Sequence, residues 1–99
     1  MVSKYTLSRK AEADLVNIFQ YTNREFGAAQ AESYLLAIEE SLRLLANKPE
    51  LASGATDIRR DYLSFAVKKH KVFFKIRPAD IFIVRVLHQQ MKYQLHLSS

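Results

Sequence analysis

The stretch LSFAVKKHKVFFKIRPADIFIVRVLH, residues 63 to 88, decides the fold. Apolar side chains recur along it at a period of two. Leu63, Phe65 and Val67 alternate with Tyr62, Ser64 and Ala66. Val72, Phe74 and Ile76 alternate with Lys71, Phe73, Lys75 and Arg77, and Phe82, Val84 and Val86 with Ile83, Arg85 and Leu87. Successive strand residues point to opposite faces of a sheet, so the pattern predicts three strands, turned at Pro78-Ala79-Asp80, in an antiparallel meander. The face carrying Phe73, Ile83 and Leu87 also carries Lys71, Lys75, Arg77 and Arg85. Apolar groups on so mixed a face are expected to lie bare for a partner, or to be covered by the chain's own tail, Met91 to Leu97.

Upstream the period becomes helical. Val2 to Leu7 alternates weakly and reads as a short strand, and Ser8 stands where a helix N-cap belongs. Ala11, Leu15, Ile18, Thr22 and Phe26 then recur at steps of three and four until Gly27, a natural helix stop. Ala31, Leu35, Ile38, Leu42 and Leu45 repeat the stripe until Asn47-Lys48-Pro49 ends it. Helices joined so tightly fold back as an antiparallel hairpin, with Tyr21 and Tyr34 beside the stripes as hairpin packing. Glu50 to Asp57 is small and polar and reads as a loop. The expected fold is α+β in two layers: an N-terminal strand, a helical hairpin, then the meander, in a single domain over residues 1–99.

Charge is unevenly placed along the 99 residues. Residues 1 to 57 carry six Lys+Arg against eight Asp+Glu, a net of −2, and residues 58 to 99 carry nine against two, a net of +7. A basic half suits an acidic partner, either nucleic acid or an acidic protein segment. Cysteine is absent, which excludes disulfides and thiolate chemistry. No run is long and apolar enough to span a membrane, and a cytoplasmic location is expected.

Residues for catalysis are sparse. His70, His88 and His96 fall in no metal-ligand spacing, and no metal or cofactor is expected. Glu39-Glu40 reads as a solvated helix surface, and no local motif suggests a Ser/His/Asp triad. Arg85 has Asp57 or Asp61 as candidate partners, and His88 suits a strand end capped by hydrogen bonding.

The dispersed pattern of Ala11, Asp14-Leu15, Ile18, Tyr21, Phe26-Gly27, Gln30-Ala31, Tyr34, Pro49, His70, Phe74 and Arg85-Val86-Leu87-His88 resembles the ParE branch of the ParE/RelE superfamily of bacterial type II toxins, over nearly the whole chain. Family members commonly carry Asp after the Met at position 91, where Lys92 stands here. The resemblance implies an inhibitor of DNA gyrase that traps the gyrase–DNA cleavage complex. It also implies a cognate ParD-like antitoxin with a ribbon-helix-helix DNA-binding part, in a hetero-oligomer with at least two copies of each chain. Contact with DNA is then indirect, through antitoxin or gyrase. Lys71, Lys75, Arg85, His88, Met91, Lys92 and Tyr93 are the expected target-facing residues. Leu15, Phe19, Tyr34, Ile38, Phe73, Ile83 and Leu87 are the expected antitoxin-facing ones.

The sister RelE branch cuts messenger RNA with Lys, Arg and a near-C-terminal Tyr, since phosphodiester transfer needs charge stabilisation and proton shuttling. Here Lys71 stands for an arginine, Tyr62 and Ser64 for lysines, Gln89 or Gln90 for the C-terminal arginine, and Leu95 or His96 for the Tyr, with Tyr93 out of phase. A nuclease would have to rely on Lys71, Arg77, Arg85 and His88. Binding without catalysis is the expectation. A nuclease, or a decayed toxin that only binds antitoxin, is the alternative.

Overall fold

Ser8 sets the frame of the molecule. In the computed structural model, which describes residues 4–55, 60–90 and 97, its Oγ accepts the Ala11 N–H at 2.9 Å and donates to the Val84 carbonyl at 2.7 Å. One hydroxyl thus caps the first helix and ties that cap to the last strand. The strand β1 (Tyr5–Leu7) precedes it, and α1 (Arg9–Phe26) and α2 (Ala28–Asn47) follow. A single residue, Gly27, joins the two helices at φ 93° and ψ 168°, a region open essentially to glycine alone. Pro49–Leu51 makes one 3-10 turn, and then come β2 (Ser53–Gly54), β3 (Leu63–Val67), β4 (His70–Ile76) and β5 (Ile81–His88).

The five strands form one sheet in the order β1-β5-β4-β3-β2. The meander β3-β4-β5 is antiparallel, and β1 joins its edge parallel to β5, with Tyr5 opposite Ile81. The helical hairpin packs on one face. Ala11, Ile18, Ile38, Leu42 and Leu45 meet Val67, Val72, Phe74, Ile81, Ile83 and Val86 there, all buried. Each large apolar side chain so removed from water contributes roughly 1.5–3 kcal/mol. The loop expected at Glu50 to Asp57 contains the 3-10 turn and the two-residue β2, which pairs Ser53 with Ser64 and Gly54 with Leu63. Phe26, at the end of the α1 stripe, is 66% exposed and lies outside the core.

The faces of β5 differ from strict alternation. A β-bulge shifts the register so that Phe73 faces Arg85 while Phe74 faces Ile83. The extra residue flips the N-terminal half of the strand. Ile81 and Ile83 therefore join the core under the helices, whereas Val84 packs with the cluster on the opposite face.

That opposite face is not bare. Phe73 and Leu87 are each 1% exposed and form a second cluster with Ala55 and Leu97, flanked by Tyr62 and Val84. The chain thus covers this apolar patch itself, with Leu97 as the contribution of the C-terminal region. Ile83 is fully buried on the helix side. Of the two expectations for this face, exposure of Phe73, Ile83 and Leu87 is corrected: the bulge moves Ile83 to the helix side, and Phe73 and Leu87 are covered by the chain itself, in part by Leu97 of the tail as the alternative had it.

Candidate functional site

Asp14 occupies the α1 stripe three residues after Ala11 and four before Ile18, so its carboxylate is carried onto the sheet with the apolar groups. Arg85 meets it there. The guanidinium Nε and Nη2 donate to the two carboxylate oxygens, each at 2.8 Å, and Oδ2 also takes the Val86 N–H at 3.0 Å. Asp14 is thus a partner of Arg85 that the sequence candidates Asp57 and Asp61 did not include. Asp57 lies outside the described residues, and Asp61 is exposed. The pairing holds the Arg85 pKa above its ordinary value, chiefly through the hydrogen bonds to Asp14.

Beside this pair, between the hairpin turn and the β3–β4 turn, opens a cleft of about 680 Å³. Asn17, Tyr21 and Phe26 of α1 and Gln30 and Tyr34 of α2 form one wall, and Lys68, Lys69, His70 and His88 the other. At its base the Tyr34 hydroxyl lies 2.6 Å from His70 Nδ1 and accepts the Lys69 N–H at 3.2 Å. With the oxygen accepting from the backbone, its proton is directed to Nδ1, which makes His70 the neutral Nε2–H tautomer. The His88 ring stands edge-on to His70, with centroids 5.2 Å apart. Burial first, then the neighbouring His88, lowers the His70 pKa from 6.5 to about 4, against an opposing pull from Asp14. Burial likewise raises the Tyr34 hydroxyl, against the lowering effect of the Lys69 hydrogen bond. His88 Nδ1 accepts the Gln90 N–H at 3.1 Å and so caps the end of β5.

The four candidate nuclease residues do not form one group: the register sets Lys71 near His88 and Arg85, and Arg77 stands apart. Lys71 and Arg77 stand at opposite ends of β4, about 20 Å apart at the rise of a strand. Arg77 pairs with Asp80 at 2.6 Å and lies over the Phe82 ring at 4.6 Å. Arg85 is turned to Asp14, and His88 to His70.

The model of the ParE toxin of the type II toxin-antitoxin system parDE matches residues 5–93. The chain belongs to the ParE toxin family. It is 33% identical to a Toxin ParE1 of Caulobacter vibrioides over 94% of this chain and 96% of that one. It is also 33% identical to a Toxin ParE1 of Mycobacterium tuberculosis over 98% of this chain and all of the relative. A Toxin ParE of Escherichia coli is 30% identical, over 98% of this chain and 95% of its own. The fold matches a chain of the chromosomal ParDE TA system from P. aeruginosa with a TM-score of 0.76 and 19% identity, covering 88% of this chain and 96% of that one.

In this ParE chain the residues that carried the family pattern converge: Tyr21, Phe26, Gln30, Tyr34, His70 and His88 line the cleft, and Asp14 and Arg85 lie beside it. Of the expected antitoxin-facing residues, Leu15, Phe19 and Tyr34 are half-buried, whereas Ile38, Phe73, Ile83 and Leu87 are buried. Among the target-facing ones, Lys71, Lys75, Arg85 and His88 are partly exposed, and Met91, Lys92 and Tyr93 lie outside the described residues. Sequence reasoning placed Lys68, Lys69, Asn17 and Gln30 at no site. The available signal was the Asp at position 14, set within an apolar stripe, and the Tyr at 34, set beside one, where each polar group requires a partner.

Proposed function

We propose that this ParE-type toxin inhibits DNA gyrase by trapping the enzyme's cleavage complex with DNA. A ParD-like antitoxin holds it inactive in an assembly with at least two copies of each chain. The observation that carries this reading is the family match across residues 5–93. The remoteness of Arg77 and the engagement of Arg85 by Asp14 favour inhibition by binding over phosphodiester chemistry, which requires charged groups converging on one phosphate. The net +7 of residues 58 to 99 suits a target that itself holds DNA.

Gyrase works in the bacterial cytoplasm, and the toxin is assigned there. No helix among the described residues is long and apolar enough to cross a membrane. Leu15 and Phe19 offer half-buried apolar surface on α1, on which an antitoxin segment gains burial as it orders. Inducing the chain in cells with and without its antitoxin, and mapping transcript ends by primer extension, tests the reading. Growth arrest relieved by antitoxin, with intact transcripts, is the expected result. Cuts at fixed codon positions would make it a nuclease, and unaffected growth would make it a toxin that has lost its activity.

A further inference from the structure

The β3–β4 turn carries an unusual choice of residue. Lys68 sits at φ 54°, the one non-glycine with a positive φ among the described residues, in a turn where Gly, Asn or Asp is the low-energy choice. A lysine there, followed by a second lysine, gives up turn stability and sets two charges at the mouth of the cleft. Among the described residues neither ammonium has a carboxylate partner, and no Asp or Glu lines the cleft. Opposite them, Tyr21 and Phe26 are 55% and 66% exposed on a helix that could have buried or replaced them.

Aromatic faces beside unpaired cations suit a ligand with a flat π-system and a negative charge. The amides of Asn17 and Gln30 add donors and acceptors able to meet a base edge. The volume, about 680 Å³, lies within the roughly 300–1,000 Å³ of small-ligand sites. An extended peptide is less well served. The strand at the base of the cleft, β4, is paired on both sides by β3 and β5, so no strand edge is available there for augmentation.

We propose that this cleft is a nucleotide site: an unpaired base stacks against Tyr21, Phe26 and Tyr34, and its phosphate is held by Lys68 and Lys69. The source is either a free nucleotide or single-stranded nucleic acid. The site shares Tyr34 with the expected antitoxin face and His88 with the expected target face, and it gives the toxin a direct nucleic-acid contact.

The test uses the purified full chain. AMP is titrated while the His70 and Tyr34 ring resonances are followed by NMR. A labelled single-stranded oligonucleotide and its duplex are titrated by fluorescence anisotropy. Shifts of those rings, or single-strand binding tighter than duplex, are expected. A response to AMP assigns the site to free nucleotides, and a response to the strand alone assigns it to nucleic acid. Tyr21→Ala should weaken binding about tenfold, the scale of one lost stacking contact. Lys68→Asn combined with Lys69→Gln should weaken it at least as much with no loss of thermal stability, because Asn tolerates the turn better than Lys. Removing two charges elsewhere, Lys10→Gln with Arg43→Gln, should leave binding unchanged. Equal loss in that control, equal binding of duplex, silence of the cleft resonances with AMP together with no binding of the single strand, or a stronger response to an acidic peptide than to either would each overturn the proposal.

Discussion

Asp14 and Arg85 meet in a bidentate ion pair across 71 residues of sequence, with side chains only 11% and 16% exposed. The same carboxylate holds the Val86 N–H, so one side chain of α1 fixes both the cation and the backbone of β5 just beyond the bulge. Asp14→Asn removes the Asp14 charge from a half-buried guanidinium. Urea unfolding should show a loss of about 2–4 kcal/mol. The double replacement Asp14→Leu with Arg85→Met should be less damaging than the sum of the two single changes, because it removes both charges of the pair together. Additive losses would show that the pair contributes nothing as a pair.

The burial of His70, with His88 beside it, makes stability depend on pH. His70 is held near a pKa of about 4 when folded, against 6.5 as its ordinary value. The unfolded chain therefore binds more protons between those values, and stability rises with pH across that window. The contribution is complete above pH 6.5 and is lost as pH falls toward 4. After allowance for solvent at the cleft it amounts to roughly 1–2 kcal/mol. Melting temperatures followed from pH 7 to 4 in wild type and His70→Gln give the check: the variant should lose less over this range. Tyr34→Phe removes the acceptor of the Lys69 N–H and the donor to His70, and should cost about 1–2 kcal/mol at neutral pH.

Gly27 is the only residue between two long helices, and its conformation, not crowding, fixes its identity. A Cβ there meets nothing within 4 Å, yet φ stands at 93°. Gly27→Ala should destabilise by about 1–3 kcal/mol through backbone strain alone. A thermal melt unchanged from wild type would refute the conformational argument.

The end of the chain takes part in the fold through Leu97, which is 3% exposed and buried with Phe73, Leu87 and Ala55. Leu97→Ala should cost about 2–4 kcal/mol and uncover enough apolar surface to bind a fluorescent hydrophobic dye. Wild-type stability without dye binding would show that the second cluster closes without it.

The helices were legible because their boundaries are local chemistry: Ser8 caps, Gly27 breaks, and the stripes between have a period that only a helix buries. The strands were legible by alternation, but the faces of β5 were not. One bulge residue inverts the assignment upstream of it, and nothing in the alternation of β5 marks where the bulge falls. The covering of Phe73 and Leu87 was legible only as one of two alternatives, since Ala55 and Leu97 come from segments whose pattern does not fix what they pack against. At the site, the pattern residues were readable one by one, but their convergence depends on partners 36 to 71 residues apart. Polar positions inside or beside apolar stripes, at Asp14 and Tyr34, were the available hint, because a buried polar group needs a partner wherever the fold brings one.

Inhibition of gyrase is tested most directly by a supercoiling assay with the purified chain, relaxed plasmid, gyrase and ATP. The account predicts loss of supercoiling together with accumulation of linear, protein-linked DNA, both reversed when the antitoxin is added first. Full supercoiling at a large molar excess of folded toxin, with no cleaved DNA released by denaturant, would contradict it.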